Sequence, residues 1–170
     1  PGFVSNHNTP YNFYVSDNRS NYSISMLAEK LSLSSLVLPL SELIAQAEIM
    51  FNSAIKYKET GGIHCARLVS YDETGKEKAS IVFEDVGRHN ALDKVIGWGL
   101  INQIEFSHCA VFTSGRIAYD MLNKVSLTGI PIFVSRSIPT TLTLELAQKI
   151  GITLVGRIGS SHPLVYSGNN

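Results

Sequence analysis

Three arginines occur where an apolar run gives way to a helical pattern, each with serine or glycine beside it. Guanidinium groups, hydroxyls and the free backbone N–H groups at helix starts all bind anions, and glycine lets a ligand approach the backbone. For one turn alone, a helix cap beside a solvated arginine is the better interpretation. Three such turns in succession favour a phosphate-binding site. The turns are Gly87-Arg88-His89, Ser114-Gly115-Arg116 and Ser135-Arg136-Ser137, the last followed by Thr140 and Thr141.

The first of these turns belongs to the longest motif of the chain, Glu84-Asp85-Val86-Gly87-Arg88-His89-Asn90-Ala91-Leu92-Asp93-Lys94. An apolar run at 79–83 precedes it and an apolar-periodic segment follows. Within the motif Gly87 permits a tight turn, and Asn90 is the predicted N-cap of a helix over residues 90–101. The motif is therefore interpreted as the turn that leads a buried strand into a helix.

Strand and helix patterns alternate after residue 60, and two strands come first as a hairpin. This order predicts an α/β fold with a mixed, mainly parallel sheet covered by helices on both faces. Parallel strands joined by right-handed crossovers bring successive strand-to-helix turns to one edge of the sheet, so the three arginines should share that edge. The predicted strands cover residues 63–71, 79–83, 108–113, 130–134, 152–156 and a short edge piece at 163–166, and the predicted helices cover 39–60, 90–101, 114–128 and 140–150.

Residues 1–37 differ from the rest of the chain because they are rich in Asn and Ser. Their composition predicts an arm or long loop with at most one strand and one helical turn. Residues 38–170 are predicted to form one domain, since 170 residues with 44% hydrophobic content support a single sizeable core. The two predicted regions are therefore an N-terminal arm and an α/β domain that carries the predicted binding turns.

Composition and missing motifs exclude several classes of function. The 14 basic and 14 acidic residues cancel, so no overall field favours nucleic acid or a membrane surface. No apolar run is long enough to span a bilayer, and a cytoplasmic location is expected. Neither an H-x-E nor a C-x-x-C motif occurs, so no metal site is predicted, and the Rossmann and Walker fingerprints are absent. Cys65 and Cys109 both lie in apolar runs and are predicted to be core residues.

Taken together, these motifs make the chain resemble the C-terminal domain of the formate dehydrogenase accessory sulfurtransferases, the FdhD-type family. The resemblance covers about residues 38–166 in family order. It rests on the segment from Glu84 to Lys94 and on Thr60-Gly61-Gly62-Ile63-His64, Ser114-Gly115-Arg116, Gly129-Ile130-Pro131-Ile132, Val134-Ser135-Arg136-Ser137, Pro139-Thr140 and Gly151-Ile152-Thr153-Leu154-Val155-Gly156.

The resemblance implies a three-layer α/β/α sandwich similar to cytidine deaminases, without their zinc site. It implies a homodimer that binds the molybdenum bis(molybdopterin guanine dinucleotide) cofactor as cargo, with GDP as an analogue of its ends. It also implies that sulfur passes from a cysteine desulfurase to the cofactor of formate dehydrogenase. The turns predict as cofactor-binding residues Arg88, His89, Ser114, Gly115, Arg116, Ser135, Arg136, Ser137 and Thr140. The resemblance adds the segment after the last predicted strand, Arg157, Ile158, Gly159, Ser160, Ser161 and His162.

One family feature is missing from this sequence. The family's Cys-x-x-Cys loop, whose first cysteine is taken as the persulfide carrier, should fall around Asn18-Arg19-Ser20-Asn21-Tyr22, which contains no cysteine. Sulfur carriage needs a thiolate, and Cys65 would have to substitute. The catalytic residue is therefore left unassigned. Two alternatives remain: a non-catalytic module that binds a guanine nucleotide or the cofactor, and a zinc-free deaminase-like hydrolase.

Overall fold

Six strands form one mixed sheet in the computed structural model, which describes residues 23–168. Their order across the sheet is β2-β1-β3-β4-β5-β6. The strands are β1 (His64–Tyr71), β2 (Glu77–Asp85), β3 (Cys109–Thr113), β4 (Ile132–Ser135), β5 (Thr153–Gly156) and β6 (Leu164–Ser167).

The strand directions place the carboxyl ends of four strands at one edge. The central strands β3, β4 and β5 are parallel to one another. Strand β1 is antiparallel to both of its neighbours, β2 and β3, so β2 runs in the same direction as β3. Strand β6 is antiparallel to β5. The prediction of a mixed α/β sheet is confirmed, and parallel pairing is confined to the three central strands.

Six α-helices cover the sheet within residues 23–168. Helices α4, α5 and α6, with α1 packed on α5 and α6, share one apolar cluster with one sheet face. Helix α2 shares a second cluster with the opposite face, which gives three layers. The likeness to cytidine deaminases stays a prediction. The helices are α1 (Ile24–Ser32), α2 (Leu40–Ser53), α3 (Ile55–Thr60), α4 (Arg88–Ile101), α5 (Tyr119–Thr128) and α6 (Thr141–Ile150), and a 3-10 turn covers Phe106–His108.

The predicted long helix after Pro39 is wrong in one respect, because it breaks at Ala54. This residue has φ −83° and ψ 84°, so α2 ends there and α3 begins. The carboxylate of Glu84 accepts a hydrogen bond from the Tyr57 N–H at 2.6 Å, in place of the carbonyl that a continuous helix would supply. The break turns Tyr57 toward the carboxyl end of β2.

The predicted N-terminal loop is wrong over residues 24–32, which form more than the single helical turn expected, whereas residues 34–37 have no regular structure. Residues 24–32 form α1, whose first turn is capped by the Ser23 hydroxyl on Met26 N–H. Leu27 and Leu31 are buried in the same cluster as α4. Their spacing of four residues is the amphipathic signal that the Ser-rich composition obscured. Residues 1–22, which include the expected place of the cysteine loop, lie outside the described part of the chain.

Candidate phosphate-binding site

The loops that carry the predicted arginines meet at the edge where β2, β3, β4 and β5 end. We call this surface the arginine edge; it consists of residues 85–88, 113–118, 135–140 and 156–162. Neighbouring loops are joined through their backbones. The bonds are Ser114 N to Cys65 O at 2.9 Å, Arg136 N to Thr113 O at 3.1 Å, Ile158 N to Ser135 O at 3.0 Å and Arg157 N to Ser137 O at 3.1 Å. The prediction that the three turns share one edge is confirmed.

Arg88 begins α4 and packs its aliphatic stem on the neighbouring loop. A Cβ atom at Gly115 would lie 2.8 Å from Arg88 Cβ and 3.0 Å from its Cδ, so only glycine fits there. Arg88 Nε is buried and has no hydrogen-bond partner among the described residues. A buried guanidinium N–H without an acceptor is costly and is best explained by a ligand that supplies one.

Asp85, rather than Asn90, organises the start of α4. Its Oδ1 accepts hydrogen bonds from Gly87 N at 2.9 Å and Asn90 Nδ2 at 3.1 Å, and its Oδ2 pairs with Lys94 at 2.6 Å. These bonds lower the pKa of Asp85 to about 2, the Lys94 bond contributing most. The predicted Asn90 cap is wrong because the helix begins two residues earlier, after Gly87, which puts Asn90 within the first turn.

Ser114 connects the arginine edge to the start of β1. Its Oγ accepts the Cys65 N–H at 3.0 Å and lies 3.3 Å from His64 Nδ1. Burial, and secondly the charge of Arg88, lower the pKa of His64. Sequence reasoning used His64 only as part of a glycine-rich motif, and its contact with a serine fifty residues away has no local signal.

Arg136 is exposed and is held by two aromatic residues that no local sequence pattern places there. Its Nη1 donates to the Tyr57 hydroxyl at 2.5 Å, and its guanidinium lies 5.4 Å from the centre of the Phe51 ring. The Phe51 and Tyr57 rings are stacked with their centres 6.0 Å apart. A Cβ atom added at Gly159 would lie 3.5 Å from the Phe51 ring. Since arginine has five N–H donors, most of them remain available to a ligand.

Two of the predicted hydroxyl donors, Ser135 and Thr140, have structural hydrogen-bond partners. Ser135 is fully buried: its hydroxyl donates to Gly115 O at 2.7 Å and accepts from Ser137 N at 2.9 Å. Its side chain therefore joins two loops and does not face a ligand. Thr140, predicted as a ligand donor, is the N-cap of α6 and accepts from Thr143 N at 3.3 Å.

The loop after β5 contributes both core and surface residues. Ile158 is buried in the second apolar cluster, so the prediction that it contacts the cofactor holds for its backbone at most. Arg157 and Gly159 both have positive φ, 57° and 83°, and a hydrogen bond from Ser160 N to Arg157 O closes the turn. The resulting turn is exposed at Arg157, Gly159, Ser160, Ser161 and His162.

Two further predicted residues are Arg116, which belongs to the arginine edge, and His89, which follows it on α4. Arg116 is exposed and precedes α5 by three residues, so the prediction that it opens a helix is wrong. His89 Nε2 lies 2.7 Å from Asp120 Oδ2 and ties the start of α4 to the first turn of α5. This pairing gives His89 a structural partner.

A sequence profile described as the FdhD/NarQ family matches residues 16–170. The chain belongs to the FdhD/NarQ family. It is 41% identical over 113 residues to the sulfur carrier protein FdhD of Nocardia farcinica and 41% identical over 118 residues to that of Methanothermobacter thermautotrophicus. These alignments cover 66% and 69% of this chain but 39% and 45% of the relatives. The FdhD/NarQ chain thus spans about two fifths of the length of these curated relatives.

A solved structure shares the fold of this FdhD/NarQ chain. It is described as a candidate formate dehydrogenase accessory protein from Desulfotalea psychrophila, with a TM-score of 0.69 and 32% identity. The match covers 84% of this chain and 60% of the other. The family and the fold expected from the motifs are therefore confirmed.

The two cysteines of this FdhD/NarQ chain are both free and fully buried, as predicted. Burial raises the pKa of Cys65 to about 11 and that of Cys109 to about 12. Such thiols are poor nucleophiles near neutral pH. Over residues 23–168 no three His, Cys, Asp or Glu side chains come together as a metal site would require. Within the same range no helix has the length and apolar content needed to cross a bilayer.

Proposed function

We propose that this chain is the cofactor-handling part of a formate dehydrogenase accessory protein. Its arginine edge binds the phosphates of the bis(molybdopterin guanine dinucleotide) molybdenum cofactor as cargo. The observation that carries the proposal is the unpaired, buried Nε of Arg88 beside a glycine that leaves no room for a side chain. An anion with several acceptor oxygens fits that donor.

The residues around Arg88 fit a dinucleotide better than a single small anion. Arg116, Arg136 and Arg157 are exposed on three neighbouring loops of the same edge. A cofactor with phosphates at separate points could be held by several guanidinium groups at once. When bound, the cofactor supplies the molybdenum chemistry of the enzyme that receives it, while this chain binds and orients it.

The proposed partners follow from the names of the relatives and from the family resemblance. Formate dehydrogenase is the recipient of the cofactor, a cysteine desulfurase is the sulfur source, and the chain acts as a homodimer in the cytoplasm. Because the chain spans only part of its relatives, these are proposals for the whole protein.

A calorimetric titration with GDP tests the proposal. Changing Arg88 or Arg136 to Ala should weaken binding by about 1.5–3 kcal/mol, or about 10- to 150-fold in Kd, the scale of a charge-assisted hydrogen bond. Lys149→Ala, an exposed position on α6 outside the arginine edge, is the matched control and should bind like wild type. Equal affinities for wild type and the three variants would overturn the proposed phosphate-binding site.

A second function is favoured by the burial of both cysteines: a module that binds the guanine dinucleotide and carries no sulfur. The two functions differ in what happens with a cysteine desulfurase and free cysteine. A sulfur adduct on the intact chain, measured by mass spectrometry, supports sulfur carriage. An unchanged mass with GDP binding retained supports the binding module.

A further inference from the structure

The Ser114 hydroxyl stands between a fixed donor and a titratable ring. Its oxygen already accepts the Cys65 N–H at 3.0 Å and lies 3.3 Å from His64 Nδ1. A serine hydroxyl carries one proton and two acceptor lone pairs. Since the Cys65 N–H occupies one lone pair, the direction of the contact with His64 decides whether Nδ1 uses the hydroxyl proton or leaves it for another acceptor, either the nearby Cys65 thiol or a ligand.

That direction depends on both the tautomer and the protonation state of His64. When the ring is neutral with its hydrogen on Nε2, Nδ1 accepts the Ser114 proton and the hydroxyl has no donor left for a ligand. When the ring is an imidazolium, Nδ1 carries the added proton and donates to Oγ. The Ser114 proton then points away from His64 and is free for another acceptor.

The charged groups near His64 come from several elements. Arg88 from α4 acts on its ring, and Asp85 is its cross-strand partner on β2. The Asp85 carboxylate is already paired with Lys94 at 2.6 Å. An imidazolium therefore faces mainly positive charge until an anion arrives.

The other nearby acid is also engaged elsewhere. Glu84 is the cross-strand partner of Cys65, and its Oε1 accepts the Tyr57 N–H. No free carboxylate among the described contacts is therefore paired with His64. A phosphate bound beside Ser114 would supply the negative charge that stabilises the imidazolium.

We propose that protonation of His64 switches the Ser114 hydroxyl into a hydrogen-bond donor to a bound phosphate, so that the arginine edge takes up a proton as it binds its ligand. His64 is a positioning residue, and Ser114 is the residue that touches the phosphate. This inference rests on the proposed function, since it requires a phosphate at the arginine edge.

The expected pH dependence follows from linkage. Burial and Arg88 hold the pKa of His64 low in the free chain, and a phosphate raises it in the complex. A group whose pKa is raised by the ligand adds affinity below its free pKa and loses that contribution as pH rises through its bound pKa. Binding should therefore be tighter in acid, by about tenfold for each pKa unit of the change.

GDP-mannose is a suitable probe because both of its phosphates are esterified. The terminal phosphate of GDP titrates near pH 6, about where histidine does, whereas the charge of the diester stays constant. The full chain is titrated by calorimetry at about pH 5.5 and about pH 8. We expect affinity at least about threefold higher in acid, with about half a proton or more taken up per ligand bound near the histidine pKa.

Two histidine variants and one serine variant complete the test. His64→Gln should abolish the pH dependence and the proton uptake, while His108→Gln, on the 3-10 turn before β3, should leave both unchanged. Ser114→Ala should weaken binding more at the acidic pH than at the basic pH, because only the acidic state directs the hydroxyl at the ligand. If Ser114 had a purely structural role, Ser114→Ala would weaken binding equally at the acidic and the basic pH.

The outcomes separate this inference from the proposed function. Binding that is independent of pH, with a wild-type response in His64→Gln, overturns the proton switch and leaves the phosphate site intact. No binding of either GDP or GDP-mannose at any pH overturns the proposed function and the switch with it.

Discussion

Cys65 should resist alkylation as long as the chain is folded. Its side chain is fully buried in β1, and burial raises its pKa to about 11. At about pH 7.5 only about 3 in 10,000 such thiols are ionised, against about 9% of ordinary thiols of pKa about 8.5. The reactive thiolate is therefore about 300-fold scarcer, before the cost of exposing it is counted.

The assay uses the Cys109→Ala chain, in which Cys65 is the only cysteine. Native protein is incubated with iodoacetamide at about pH 7.5 and weighed at intervals by mass spectrometry. A chain lacking both native cysteines and carrying Lys149→Cys on exposed α6 gives the rate of an accessible thiol. Guanidinium-unfolded protein should react at that rate. Alkylation of native Cys65 within about threefold of the exposed control would refute the burial argument and make Cys65 a candidate sulfur carrier.

Three further predictions concern the residues that shape the arginine edge. Gly115→Ala should lower the free energy of unfolding by about 1–3 kcal/mol in denaturant titrations, because the added methyl group clashes with the Arg88 side chain. Gly97→Ala is the control: the site lies in a helix with open space around it, so the change should be neutral or stabilising by up to about 1 kcal/mol. Asp85→Asn should remove a stabilising contribution that wild type has above about pH 4 and loses as pH falls toward about 2, measured as urea midpoints across that range; a wild-type acid profile would contradict this. Ser135→Ala should cost about 1–3 kcal/mol because two buried hydrogen bonds are lost, while exposed Ser160→Ala should change stability by less than about 0.5 kcal/mol.

The fold was largely predictable because its signals are local. Apolar runs marked the strands, and glycines at 129 and 151 marked helix ends, where both residues have positive φ. The alternation of strands and helices then fixed a mixed sheet and a common edge for the turns. These inferences need only periodicity and chirality, which the sequence carries within short windows.

The errors lie where a distant side chain overrides a local pattern. The apolar period after Pro39 is unbroken, yet the helix ends at Ala54. Beyond the break the Tyr57 N–H donates to Glu84, a residue that lies far away in the sequence. Asn90 is a good N-cap type, but Asp85 binds Gly87 N and moves the helix start. Neither the helix break nor the helix start can be predicted from propensities alone, since both depend on hydrogen-bond partners that the sheet brings close.

The candidate site was predictable as a set of loops but not as a set of contacts. The turns with Arg88, Arg116 and Arg136 were assigned to one edge from topology. Arg136 contacts Tyr57, which lies 79 residues away in the sequence, and Phe51. No local pattern predicts contacts between segments so far apart. Ser135 was predicted to donate to a ligand, but residues from other segments bury its side chain.

The most direct test of the central claim is to map GDP onto the chain by backbone amide NMR. If GDP binds at the arginine edge, the largest shift changes on titration fall on residues 85–90, 113–118, 135–140 and 156–162, with small changes on β6 and on α1. Saturable changes concentrated elsewhere, or none at concentrations that saturate calorimetry, would contradict a phosphate site at the arginine edge.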